Sequence, residues 1–396
     1  MPSTFDVARV RADTPATKTL THLNNAGASL AATPVLTAQL DYLRREATDG
    51  GYETADAYAD VLEASYEGIA ALIGAQRAEI AVVESASRAW HIAFASLGLR
   101  AGDRVLADRA QYVSNALELL NAARRSGIEV ELIPNDEHGQ VSVDALRELV
   151  DERVRLVAVT HVPTSGGLIN PVAEVGAVTR AAGVPFLLDA CQSVGQLVVD
   201  VEAIGCDFLA ATGRKYLRAP RGTGFLYVRS SMLASAEVDS LDSGAANWTT
   251  DLGFDLRPDA RRFEGFERSY AAQVGLTAAV DYALALGMDA IEERVVALGA
   301  QLRAGLADIP GVEVHDLGLR RGGIVTFTVA GHDPGAISAR LREQRINTSV
   351  ASIDLARWDY GPRGLTTAVR ASVHYYNDDA DLDRLTTAIS ELNPAQ

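Results

Sequence analysis

The sequence predicts an α/β fold: one large, open, mostly parallel sheet covered by helices, followed by a smaller α+β unit. Three observations predict it. From about residue 68 to 230, short apolar runs alternate with amphipathic helical stretches, the pattern of a parallel sheet with crossover helices. Hydrophobic residues make up 48% of the 396-residue chain, enough for one large core and a second small one. Past a long helical region the pattern changes to two strands flanking one helix.

Taken in order, the first 60 residues carry an amphipathic run, TPVLTAQLDYLRREATDGG, expected to pack across the domain boundary or onto a second subunit. Residues 61–290 are expected to form the large domain, with strands at IAVVES (80–85), DRVLAD (103–108), VELIP (130–134), VRLVAVTHV (154–162), PFLLDA (185–190), FLAATG (208–213) and GTGFLYV (222–228). Seven strands make one sheet. The helical stretches SNALELLNAARRSG and VAEVGAVTRAAG each end in Gly, a residue that stops helices. A long helical region, roughly Tyr270 to Leu306, leads into the small domain of residues 291–396, whose strands GGIVTFTVA and VRASVHYY flank AISARLREQR and whose α+β pattern starts near Pro310.

A formal charge of −16 without any polybasic run disfavours nucleic acid and anionic lipid as partners. The N-terminus lacks the apolar core of a signal peptide, and no stretch is long and apolar enough to span a bilayer, so a cytoplasmic location is expected. The two cysteines, Cys191 and Cys206, sit in apolar segments, and the seven histidines have no ligand spacing; neither a disulfide nor a metal is expected.

In open α/β sheets, ligands bind outside the carboxyl ends of the strands. PFLLDACQSVGQ puts Asp189 at such an end. Asp there is either a helix N-cap or a buried carboxylate pairing with a protonated heterocycle nitrogen. Lys215 follows 26 positions later, in ATGRKYLRAPRGTGFLYV, between two apolar strands and beside Thr212, Arg214 and a Gly-rich stretch that lets backbone approach closely. A lone loop lysine is usually a solvated charge, but here a strand-end Asp precedes it and a Gly-rich loop follows.

Together these motifs resemble the fold-type I pyridoxal 5'-phosphate enzymes of the class V aminotransferase family, which includes cysteine desulfurases. The resemblance runs from about Leu23 to Leu392, with the motifs in the family's order. It implies pyridoxal 5'-phosphate as cofactor, a Schiff base on Lys215, and Lys215 as the proton carrier. Asp189 is implied to hold the pyridine nitrogen protonated, Gln192 to bond the ring oxygen, Tyr112 to stack on the ring, and Thr164 of THVPTSGGLINPV to reach the ring hydroxyl. Ala86 and Ser87 of VVESASRAW, with Thr212 and Arg214, are implied to hold the phosphate, the first two at a helix start, a physical anion site. HLNNAGASL is implied to line the substrate pocket with Asn25, Ala26 and Gly27, and Arg370 of VRASVHYYN to clamp the substrate carboxylate. Arg88 stands where an acidic or neutral residue is more usual, and no role is assigned to it.

The resemblance further implies a homodimer, with one departure. The family's Gly-Thr, which crosses to the neighbour's phosphate, is here Phe266-Glu267, so Arg268, Ser269 or Tyr270 is expected to take over. A second departure is the loop NTSVASIDLARWDYGPRGLTTA (347–368), which has no cysteine to receive sulfur as a persulfide. The expectation is therefore that the chain is not a standard cysteine desulfurase. It is read instead as similar to the family's carbon–sulfur lyase branch, including lyases of ergothioneine biosynthesis and lincosamide-type sulfur processing. The expected reaction is beta-elimination from an S-substituted cysteine or its sulfoxide to pyruvate, ammonia and a sulfur product. The alternatives are an aminotransferase or an isopenicillin-N-epimerase-like racemase, and, from another class, a non-catalytic binding protein on the same fold.

Overall fold

A computed structural model describes residues 5–392. Seven strands form the large sheet: β1 (Ile80–Val83), β2 (Arg104–Ala107), β3 (Glu129–Leu132), β4 (Val154–Thr160), β5 (Phe186–Asp189), β6 (Phe208–Thr212) and β7 (Gly224–Val228). Their spatial order is β1-β7-β6-β5-β4-β2-β3, and only β7 runs against its neighbours. Six of the seven fall inside the apolar run that predicts them, and β3 starts one residue earlier, at Glu129. The runs are continuous because both faces are covered. Phe186 and Leu188 enter one hydrophobic cluster, Leu187 enters the cluster on the opposite face, and all three are fully buried. Burial of each such side chain stabilises the fold by roughly 1.5–3 kcal/mol, which fixes the register that leaves Asp189 at the strand's end.

Helices α1 (Val113–Ser126) and α2 (Val172–Ala182) end before Gly127 and Gly183, as expected. The long helical region differs from expectation. It is two helices, α3 (Tyr270–Leu286) and α4 (Met288–Ala307), bent by 83° about Gly287, because a glycine there lets the chain turn from the large sheet toward the C-terminal unit. No single described helix is long and apolar enough to cross a membrane.

The C-terminal unit carries an antiparallel sheet, Val312–Val314, Ile324–Val329, Thr367–Ser372 and Ser349–Ser352 in that spatial order, with the helix Pro334–Glu343 and the last helix Asp379–Ser390 beside it. The N-terminal segment joins it: Thr21–His22 pairs in parallel with Ile346–Asn347. A hairpin, Ala246–Thr250 with Gly253–Leu256, stands outside the large sheet and was not foreseen. Its side chains are mostly exposed, so no burial pattern marked it as strand.

Candidate active site

The carboxyl ends of the central strands converge on one cavity of about 140 Å³. Ala86, Ser87, Tyr112, Asp189, Thr212, Arg214 and Lys215 all line it, joined by Asn115, Cys191 and Arg221. Ala86 opens a ten-residue helix, Ala86–Ala95, whose N-cap Ser85 accepts from Arg88 N–H, so the free N–H groups of its first turn face the cavity side.

Asp189 closes β5 and is 5% exposed. Its Oδ2 accepts from Asn115 Nδ2 at 2.7 Å and its Oδ1 from the Cys191 amide at 2.9 Å. Burial pushes the carboxyl up, and these donors and the charge on Lys215 pull it down. Lys215 is equally buried, its Nζ 5.7 Å from the centre of the Tyr112 ring. Burial raises the neighbouring Cys191 thiol, and the charge and hydrogen bond of Lys215 oppose that rise. Thr212 Oγ1 donates to Thr223 O at 3.2 Å, and Arg214 Nη1 donates to Gly27 O.

A second group meets beside this cavity. Arg370 Nη1 donates to the carbonyl and hydroxyl oxygens of Thr164 at 2.9 and 2.8 Å, and its Nη2 donates to Asn24 Oδ1 at 3.2 Å. Gln192 Nε2 donates to Thr164 Oγ1 and Ala26 O, both at 3.1 Å. Thr164 Oγ1 thus accepts twice, and its own proton is left to donate. Two buried atoms here have no partner: Gln192 Oε1 and Arg370 Nε. Such orphans cost about 1–3 kcal/mol each unless something fills the site. Among the described residues no group of His, Cys, Asp or Glu is arranged to hold a metal ion.

The Ala26 carbonyl meets the site through Gln192, but the Asn25 side chain faces elsewhere. Asn25 is fully buried, donating to Ser372 O at 2.7 Å and accepting from Tyr376, while the Ala26 amide donates to Ser372 Oγ. They brace the N-terminal segment against the C-terminal sheet, and the neighbouring Asn24 is the side chain that reaches Arg370. Asn24, Asn115 and Arg221 are the site residues that sequence reasoning missed. Asn24 and Asn115 lie inside the stretches HLNNAGASL and SNALELLNAARRSG, and nothing in their spacing distinguishes them.

The donor set fits pyridoxal 5'-phosphate: a helix start with hydroxyls and guanidinia for a phosphate, a strand-end carboxylate for a ring nitrogen, an aromatic face, a buried lysine, and orphaned buried atoms awaiting partners.

Residues 21–385 match the family model described as Aminotransferase class-V. A chain of Methanothermobacter thermautotrophicus named "Probable cysteine desulfurase" is 30% identical over 97% of this chain and 97% of its own length. A "Cysteine desulfurase" of Enterobacter is 28% identical, with 98% of each chain covered. The solved apo structure of a cysteine desulfurase from Thermococcus onnurineus superposes with a TM-score of 0.91 at 26% identity, covering 97% of both chains. The family and fold expected from the motifs stand, and with them the cofactor, pyridoxal 5'-phosphate.

The expected reaction does not stand. Relatives matching along the whole chain are named cysteine desulfurases, and none points to the ergothioneine or lincosamide lyase branch. Beta-elimination from S-substituted cysteines, its aminotransferase and epimerase alternatives, the non-catalytic alternative, and the exclusion of a standard cysteine desulfurase are all corrected by this. The physical reason is that the missing loop cysteine concerns where sulfur goes. It says nothing about the groups that hold the amino acid and break its carbon–sulfur bond.

Proposed function

The chain belongs to the aminotransferase class-V family, and from that membership we propose that it acts on cysteine as a desulfurase, giving alanine and passing the sulfur to a thiol. The observation that carries the reading is the whole-length similarity to proteins named cysteine desulfurases, together with the lysine and carboxylate gathered at one cavity and the Arg370 guanidinium beside it.

Bound there, pyridoxal 5'-phosphate supplies an electron sink for the α-carbon of an amino acid. Lys215 anchors it and then carries protons to and from the substrate carbon, its Nζ held near the Tyr112 ring. Asp189, fixed by Asn115 and the Cys191 amide, keeps a negative charge where the ring nitrogen needs its proton. Tyr112 covers the ring face, and Thr164, with its free hydroxyl proton, and Gln192 meet the ring oxygen. Ala86, Ser87, Thr212 and Arg214 hold the phosphate. Arg370 binds the substrate carboxylate, its unpaired Nε and the adjoining Nη forming the planar edge that such a group accepts. Asn25, Ala26 and Gly27 support that pocket through the backbone.

In balance, the carbon–sulfur bond of cysteine breaks, a sulfur–sulfur bond forms with the acceptor thiol, and that thiol's proton ends on carbon. Segment 347–368 supplies no thiol, Cys206 is fully buried, and burial raises the pKa of the Cys191 thiol that lines the cavity, so the reading assigns the acceptor to a thiol from outside the chain. The protein is further read as a homodimer. Large apolar side chains left exposed, Leu36, Leu40 and Leu43 on one helix and Trp248, Leu252 and Phe254 on the hairpin, support that reading.

The test is holoenzyme with L-cysteine and dithiothreitol. Alanine and sulfide in equal amounts are expected, also from a Cys191→Ala, Cys206→Ala variant. Pyruvate and ammonia in place of alanine would sink the proposal.

A further inference from the structure

We propose that Arg221 is the guanidinium that anchors the cofactor's phosphate from within the same chain, in place of a contact from a neighbouring subunit. The proposal rests on the pyridoxal-phosphate reading of the cavity and is independent of which sulfur chemistry follows.

Four observations carry it. A phosphate monoester carries close to two negative charges at neutral pH, so the helix start and two hydroxyls leave charge to be matched. Arg214, the nearest guanidinium in the lysine turn, spends Nη1 on Gly27 O. Of the residues expected to cross from a partner subunit, Arg268 through Nη1 and Ser269 through Oγ have partners inside their own chain, although Arg268 Nε has none among the described residues. Arg268 Nη1 donates to Glu264 and to Tyr66 Oη, with its guanidinium 5.7 Å from the Tyr270 ring, and Ser269 Oγ caps α3 by accepting from the Ala272 amide at 3.2 Å. Glu267 beside them is a carboxylate and repels phosphate.

Arg221, by contrast, lines the same cavity as Ser87, Arg214 and Lys215, and among the described residues it has no hydrogen bond and no ion pair. It is exposed at the end of the turn between β6 and β7, immediately before Gly222, whose φ of 78° lets the chain reverse there. Glu84, the acid on the same rim, faces Arg88 at 4.0 Å and leaves Arg221 uncompensated. An unpaired guanidinium at the mouth of a helix-start cradle is shaped for bidentate binding of a phosphate.

The experiment compares equilibrium affinities of stripped protein for pyridoxal 5'-phosphate and for pyridoxal, which lacks the phosphate. The ratio isolates the phosphate's contribution from that of Lys215. Arg221→Gln is expected to lower the affinity for pyridoxal 5'-phosphate on the order of 10- to 100-fold while leaving pyridoxal unchanged, and Arg221→Lys to fall between. Because Arg221 is exposed, both variants should keep the parent far-UV spectrum. An unchanged ratio in Arg221→Gln overturns the assignment, as does a lowered ratio in Ser269→Ala alone. A parent protein that binds the two compounds equally would instead sink the cofactor reading beneath it.

Discussion

Gly195 ties the cofactor end of the sheet to the lysine turn, and its replacement by alanine gives a graded prediction. Its φ is 91°, and a Cβ there would lie 2.4 Å from the carbonyl carbon of Tyr216 and 2.5 Å from the Leu217 nitrogen. These are backbone atoms directly after Lys215, so no side chain can rotate away. To reach even 3.4 Å, the edge of ordinary contact, that backbone must move by about 1 Å. The left-handed conformation and the overpacking together should destabilise the fold by roughly 2–5 kcal/mol. The control is Gly183→Ala, with φ 65° and nothing within 4 Å of the added carbon, which should cost only about 1–2 kcal/mol. Displacing Lys215 by about 1 Å should also lower turnover on the order of 100-fold. Guanidinium denaturation of both variants, with turnover of the folded holoenzymes, measures the two effects. If Gly195→Ala loses no more stability than Gly183→Ala and turns over like the parent, close approach at Tyr216 does not set the position of Lys215.

Lys215→Ala should bind no cofactor covalently, so borohydride treatment followed by mass spectrometry should find no added mass on the protein; an adduct would reassign the anchor. Arg370→Lys keeps the charge but loses the planar edge that bonds Thr164 and Asn24, and the KM for cysteine should rise roughly 10- to 100-fold with a smaller change in kcat; a pure kcat loss would argue against carboxylate binding. His161 is held neutral by burial, its pKa pushed from 6.5 down to about 4. The unfolded chain therefore binds a proton that the folded chain refuses, and stability present above pH 6.5 is lost as pH falls toward 4, by up to about 3 kcal/mol. His161→Gln should flatten that loss between pH 7 and 4.5 in denaturant titrations. The buried Asp108 carboxyl, pushed up to about 7, gives a slope of opposite sign in both proteins and cancels in the comparison; parallel pH curves would refute the assignment to His161.

Much of the fold was legible because burial on both faces writes itself into sequence. Phe186, Leu187 and Leu188 face two different clusters, so the strand reads as an unbroken apolar run ending at Asp189. Lys215 was legible for a related reason, being a charge in a turn between two fully buried strands. The lyase reading failed at a different level. It treated the absence of one loop cysteine as deciding the reaction, when the groups gathered at Lys215 are indifferent to the sulfur's destination.

By itself, then, the sequence determined the sheet and the placement of Asp189 and Lys215 toward its carboxyl end, since these follow from local periodicity and strand ends. Only the tertiary structure decided that Asn24 and not Asn25 meets Arg370, that Asn115 holds Asp189 across 74 positions, and that Arg268 is spent on Glu264 while Arg221 is free. It also decided the 83° bend at Gly287 and the exposed hairpin around Trp248. The physical reason is the same in each case. Periodicity records which layer a residue faces, whereas a hydrogen-bond partner far along the chain is chosen by packing, which no local pattern encodes.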